Sequence, residues 1–150
     1  MGEVRNDMPI WRIGGGEGGP GSGERPVPPS GEAPRCDVVE LDTALLHIAA
    51  ASSSPWLRMS GEIDVSNAPD VAAALHAAQA RVPGDLHVDL AAIAFMDVAG
   101  LRALTLAARE LHEHGRLLVL HAVPPYLDRL FRLIGWHLTP GLAIHCRPRG

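Results

Sequence analysis

Lysine is absent: all thirteen basic residues of this 150-residue chain are arginine, against seventeen acidic ones, for a formal net charge of -4. Without a basic run nothing supplies the phosphate neutralisation on which nucleic-acid binding depends, so no nucleic acid is expected as a partner. Cysteine is nearly absent too. Cys36 and Cys146 stand near opposite ends of the chain, which fits neither a disulfide framework nor paired zinc-ligand spacing and suits a reducing, cytoplasmic setting. The sequence has no uninterrupted apolar run of about 18 residues, and its start lacks a basic stretch followed by an apolar core. Neither a membrane span nor an export signal is therefore expected. The all-arginine usage, with abundant Ala, Gly and Pro, reflects GC-rich coding of a bacterial kind and carries no functional information.

What is present divides in two. Residues 1–38 form a Gly- and Pro-rich segment whose apolar residues show neither helical nor strand period, so it is expected to be disordered. Gly14, Gly16 and Gly19 match the G-x-G-x-x-G spacing of dinucleotide-phosphate loops. That motif needs a strand before it and a helix after it, whereas Pro26, Pro28 and Pro29 follow, so a flexible linker is the better reading.

Residues 39–147 read as one α/β domain. Thr43 to Ala49 and Trp56 to Ile63 are expected strands joined by a Ser-rich connection, possible partners in a hairpin. Ala68, Val71, Leu75 and Ala78 recur at helical spacing after Ser66 or Asn67 as N-cap and before the stop at Pro83-Gly84. Leu86 to Ile93 reads as a central strand, with Ala91 to Phe95 apolar enough for a sheet interior. A second helix is expected after Asp97 and ends at Gly115, Arg116 to His121 is a strand, Pro124-Pro125 opens a third helix ending at Gly135, and Leu142 to His145 closes the sheet. Two strands followed by helix-strand repeats imply right-handed parallel crossovers, hence a mixed sheet of about four to five strands flanked by about three to four helices.

Few residues suggest chemistry. Glu62, Asp64 and Asp97 fall at strand ends and could converge, but Asp97 directly precedes a helix, where its carboxylate is better read as a cap. His112 and His114, two positions apart, point to different sides of a helix and do not have metal-ligand spacing. No metal and no cofactor are expected. In the third helix Leu130, Phe131 and Ile134 are core by spacing, with Leu133 and Trp136 nearer the surface.

Ser60-Gly61-Glu62-Ile63-Asp64, Val88-Asp89-Leu90, Phe95 to Leu104 and Leu130 to Trp136 occur in an order that resembles the STAS domain of bacterial anti-sigma factor antagonists. The resemblance spans roughly residues 40–147. It implies a STAS-like fold and a non-enzymatic regulator that binds an anti-sigma factor or a serine-kinase-type regulator, controlling transcription by freeing a sigma factor. A STAS module sensing a small ligand, or a scaffold in a stress-signalling complex, is the alternative. The resemblance puts partner binding at Asp64, Asp97, Val98, Ala99, Gly100 and Leu101, with Val98 and Leu101 supplying the apolar contact. It also implies a phosphoacceptor Ser or Thr directly after the aspartate. Here that position is Val98 and the next is Ala99, neither of which can carry phosphate.

Overall fold

A computed structural model describes residues 35–148. The glycine motif and most of the segment expected to be disordered lie outside the described residues. Within that segment's last residues, Val38 already opens a strand.

Among the described residues six strands and three helices follow in the order β1 (Val38–Asp42), β2 (Leu46–Ala50), β3 (Trp56–Ile63), α1 (Ala68–Arg81), β4 (Leu86–Met96), α2 (Val98–His112), β5 (Leu118–Val123), α3 (Pro125–Ile134) and β6 (Leu142–Cys146). A 3-10 turn, Trp136–Leu138, lies between α3 and β6. The strands form one sheet in sequence order; β1, β2 and β3 pair antiparallel, and β3 to β6 run parallel. The sheet thus has one strand more than the four to five expected. The addition is β1, a short strand beside the low-complexity segment, where five residues are too few to show a period.

Three successive crossovers between neighbouring parallel strands, all of one hand, place α1, α2 and α3 on the same side of the sheet. The core is accordingly a single layer. Leu57, Met59, Val88, Leu90 and Leu120 from the strands meet Leu75, Leu104 and Phe131 from the helices, all fully buried. Among the described residues no helix covers the other face of the sheet, which is lined by Trp56, Arg58, His87, Asp89, His121 and His145.

Several boundaries move for local reasons. The strand expected from Thr43 starts at Leu46 because the Thr43 side chain closes a turn, accepting from the Leu46 N–H at 3.1 Å and donating to the Leu46 carbonyl at the same distance. The strand expected from Arg116 starts at Leu118, since the Arg116 guanidinium turns back to the carbonyls of Gln79, Val82 and Gly84 at the end of α1. A cation there complements the helix dipole. In β4, Ala91, Ala92, Ala94 and Phe95 are exposed, against the interior placement expected. Pairing with β5 stops at Asp89 and His121, so the far half of β4 has only β3 beside it.

Candidate functional site

The parallel ends of β3 and β4 are in register, Ile63 against Met96, so the loops that follow both strands emerge side by side. Asp97 sits at the second of these turns in extended conformation. Its N–H donates to the Ile63 carbonyl at 3.1 Å, and its Oδ1 accepts from the Ala99 and Gly100 N–H groups at 3.0 and 3.2 Å. This is the helix cap that the sequence suggests.

In the first loop Asp64 accepts from both the backbone N–H and the hydroxyl of Ser66. Those bonds, the hydroxyl's first, hold the Asp64 carboxyl below its ordinary range. Asn67 occupies the cap position of α1 but gives the helix no side-chain bond. Its buried amide reaches back instead, Oδ1 accepting from the Asp64 N–H and Nδ2 donating to the Glu62 carbonyl, each at 2.9 Å. With Pro69 in the first turn, one fewer N–H there needs a cap.

Two glycines explain how closely this junction packs. Gly61 has φ +113°, and a Cβ added there would lie 2.1 Å from the Leu45 carbonyl oxygen. That carbonyl accepts the Glu62 N–H at 2.9 Å, which ties the turn before β2 to β3. At Gly100 a Cβ would come within 2.7 Å of both Met96 Cγ and Ile63 Cγ2. The first turn of α2 therefore rests directly on the ends of β3 and β4.

Of the residues expected to bind a partner, Asp64, Asp97, Val98 and Ala99 come together at this end of the sheet. Gly100 is buried and Leu101 is 0 % exposed, so Leu101 is a core residue and presents no surface to a partner. Exposed apolar surface comes from elsewhere. Val98 is 48 % exposed, and Val65 at 74 % and Phe95 at 47 % belong to the same strand ends. Val65 leaves a signal in the sequence, a lone apolar residue inside the polar run Asp64-Val65-Ser66-Asn67. Phe95 leaves none, because its exposure depends on where β5 stops pairing.

Glu62 belongs to the same strand ends, in register with Phe95. Glu62 is exposed, and among the described residues no cluster of His, Cys, Asp and Glu is arranged to hold a metal ion. His112 and His114 are exposed on and just after α2. Burial pushes both thiols, Cys36 and Cys146, above their ordinary values, which makes them weaker nucleophiles.

A set of rings that the sequence does not reveal lies on the helix-free face. Trp56 stacks on His87 with centroids 4.9 Å apart and lies 4.4 Å from His121, and His145 meets His121 edge-on. His87 Nδ1 and His121 Nε2 are 2.9 Å apart. Burial lowers both imidazoles, and with His87 and His145 beside it His121 falls to about 4.

The model of a family described as Mlab, STAS domain, matches residues 46–138. Anti-sigma-B factor antagonists of Listeria monocytogenes and Listeria innocua are each 35 % identical over 77 residues, which cover 51 % of this chain and 68 % of theirs. The crystal structure of an anti-sigma factor antagonist from Mycobacterium paratuberculosis is 26 % identical with a TM-score of 0.57, over 69 % of this chain and 90 % of that one. The unphosphorylated form of the anti-sigma factor antagonist SpoIIAA has a TM-score of 0.53 at 19 % identity, over 65 % and 86 % of the two chains, a likeness of fold.

Proposed function

The chain belongs to the STAS domain family, and from that premise we propose that it is an anti-sigma factor antagonist, binding an anti-sigma factor or a regulator of serine-kinase type through the end of the sheet that carries Val98. The observation that carries this reading is the exposed side chain of Val98 at the first position of a helix whose N-terminus Asp97 already caps. Val65 and Phe95 add apolar area at the same strand ends. Asp64, Asp97 and Ala99 form the surround, and Gly100 and Leu101 hold the helix start in place from beneath.

In this reading the module acts in the cytoplasm and performs no chemistry, and both aspartates at the junction serve local backbone groups. Its binding is not switched off by phosphate at the usual place. A phosphoryl group would bring about 1.5 to 2 negative charges into the middle of a docking surface, but Val98 and Ala99 have no hydroxyl to receive it. The nearest hydroxyl in the helix, Thr105, is buried and donates to the Arg102 carbonyl at 2.9 Å. A ligand-sensing role is less well supported, since fully buried side chains such as Met59, Leu104 and Phe131 fill the layer between sheet and helices.

Calorimetric titration of the full chain with the purified anti-sigma factor of its own host tests the reading. Val98→Asp should raise the dissociation constant at least about tenfold, since a carboxylate forced into an apolar contact loses hydration that the partner does not replace. An unchanged constant places the interface on another face.

A further inference from the structure

The exposed side of α2 continues beyond Val98. Val98, Arg102, Leu106 and Arg109 recur at intervals of four, four and three residues, which aligns them along one helix face over about 16 Å. All four are exposed, Leu106 to 48 %. Arg102, Thr105, Leu106 and Arg109 also line an open groove whose other wall is Trp136 and Thr139, from the 3-10 turn and the loop after it.

The two arginines in this groove are unlike most others in the chain. Arg58 pairs with Asp89, Arg81 with Glu40 and Arg132 with Asp128, while Arg116 and Arg147 donate to carbonyl oxygens. Among the described residues no oxygen accepts from the side chains of Arg102 and Arg109. The adjacent Glu110 is engaged on the other side of the helix, taking a bond from Gln79 at 2.8 Å. On a chain of net charge -4, a groove with two uncommitted guanidinium groups is complementary to an anionic partner surface and selects against a basic one.

The spacing narrows the occupant further. Arg102 and Arg109 are two helical turns apart, about 10 Å along the axis, with Leu106 between them. That arrangement suits two separate carboxylates flanking an apolar side chain better than one small anion. We propose that the groove receives an acidic helical segment of the partner protein. Carboxylates seven residues apart would pair with Arg102 and Arg109, and an aliphatic side chain between them would pack on Leu106 and Trp136. The inference rests on the function proposed above insofar as this stripe continues the Val98 surface, and it makes α2 the axis of the interface.

The test uses a synthetic helical peptide with Glu at two positions seven apart and Leu between them, titrated into the isotopically labelled full chain and followed by amide and side-chain NMR shifts. Saturable shifts are expected at Arg102, Leu106, Arg109 and the Trp136 indole. The same peptide with Gln for Glu should give none. R102E/R109E, two exposed substitutions whose folding circular dichroism checks, should weaken the Glu peptide at least about tenfold and bind a Lys-for-Glu version instead.

No shift at these residues, or equal shifts with the Gln peptide, would overturn the proposal. So would displacement of the peptide by inorganic phosphate with the same shifts, which would mark a small-anion site. Salt-sensitive self-association of the full chain, lost in R102E/R109E, would assign the groove to a second copy and overturn it as well. The two readings fail separately: Val98→Asp can leave the anti-sigma factor bound while the peptide still seats on the arginines, and the reverse result is equally visible.

Discussion

Replacing Gly61 by alanine should destabilise the domain by about 3–5 kcal/mol, a large part of the 5–15 kcal/mol typical of a whole domain. Two costs combine. The backbone at φ +113° lies outside the regions an L-residue occupies comfortably, which amounts to about 1–3 kcal/mol. The new Cβ would also stand 2.1 Å from the Leu45 carbonyl oxygen, less than a van der Waals distance. Backbone on both sides cannot turn away as a side-chain tip could. The turn before β2 must shift, which stretches the bond from the Glu62 N–H to that carbonyl and disturbs the buried Leu46, for about another 2 kcal/mol. Gly84→Ala separates the two costs, because Gly84 also has positive φ (+82°) and a Cβ there meets nothing within 4 Å. It should lose only the conformational part, about 1–2 kcal/mol. Urea unfolding followed by the fluorescence of Trp56 and Trp136 measures both. With a slope of about 2 kcal/mol/M, Gly61→Ala should lower the midpoint by about 2 M and Gly84→Ala by under about 1 M. Equal shifts for the two variants would refute the argument from close approach.

Asn67→Ala leaves the Asp64 N–H and the Glu62 carbonyl without their partner at a buried position and should cost about 2–3 kcal/mol; Asn67→Asp keeps the acceptor and should cost about half. Chemical unfolding that found the two variants equal would show that the Oδ1 acceptor contributes nothing. Asp97→Ala removes the cap of α2 for about 1 kcal/mol, whereas Asp97→Asn retains the acceptor and loses only the charge term of about 0.3–1 kcal/mol. Melting temperatures should rank wild type, Asn and Ala in that order, and Ala at or above Asn would contradict the cap. His87 and His121 titrate below the ordinary imidazole value of 6.5, His121 at about 4. Between those limits the folded chain binds fewer protons than the unfolded one, so their contribution is complete above about pH 6.5 and is lost as pH falls toward 4. The melting temperature should therefore drop between pH 7 and pH 5 by more in wild type than in His121→Gln, and equal drops would remove the ring cluster as the cause.

The elements that the sequence reveals are those whose signals are local. Trp56–Ile63 is bounded by a Ser-Pro connection and by the Asp64 loop, and α2 and α3 are marked by Asp97, Pro125 and Gly135 at their ends. Caps and left-handed turns act within a few residues, so a linear reading finds them. Leu101 is legible as part of an apolar helix face, yet the family resemblance also makes it contact surface; one apolar residue cannot be in both places, and only the packing of the helix decides. Phe95 went the other way. Its neighbours suggest a buried strand, and it is exposed because β5 pairs with only the first half of β4. Asn67 shows the same limit at a smaller scale, its amide spent on Glu62 and Asp64 instead of the helix it precedes.

Sequence alone determined the order of strands and helices after β1, the glycines at 61 and 100, and the absence of a hydroxyl at Val98 and Ala99, all properties of residue type and short-range spacing. Tertiary structure decided what each face does. Successive crossovers of one hand put α1, α2 and α3 on one side of the sheet, which sent Leu101 into the core and left Val98, Arg102, Leu106 and Arg109 on the outer side of α2. On the bare side, His87, His121 and His145 come from strands β4, β5 and β6, far apart in the chain, and meet because parallel pairing brings those strands together. No local signal anticipates such a meeting, since it depends on register between segments separated by whole helices.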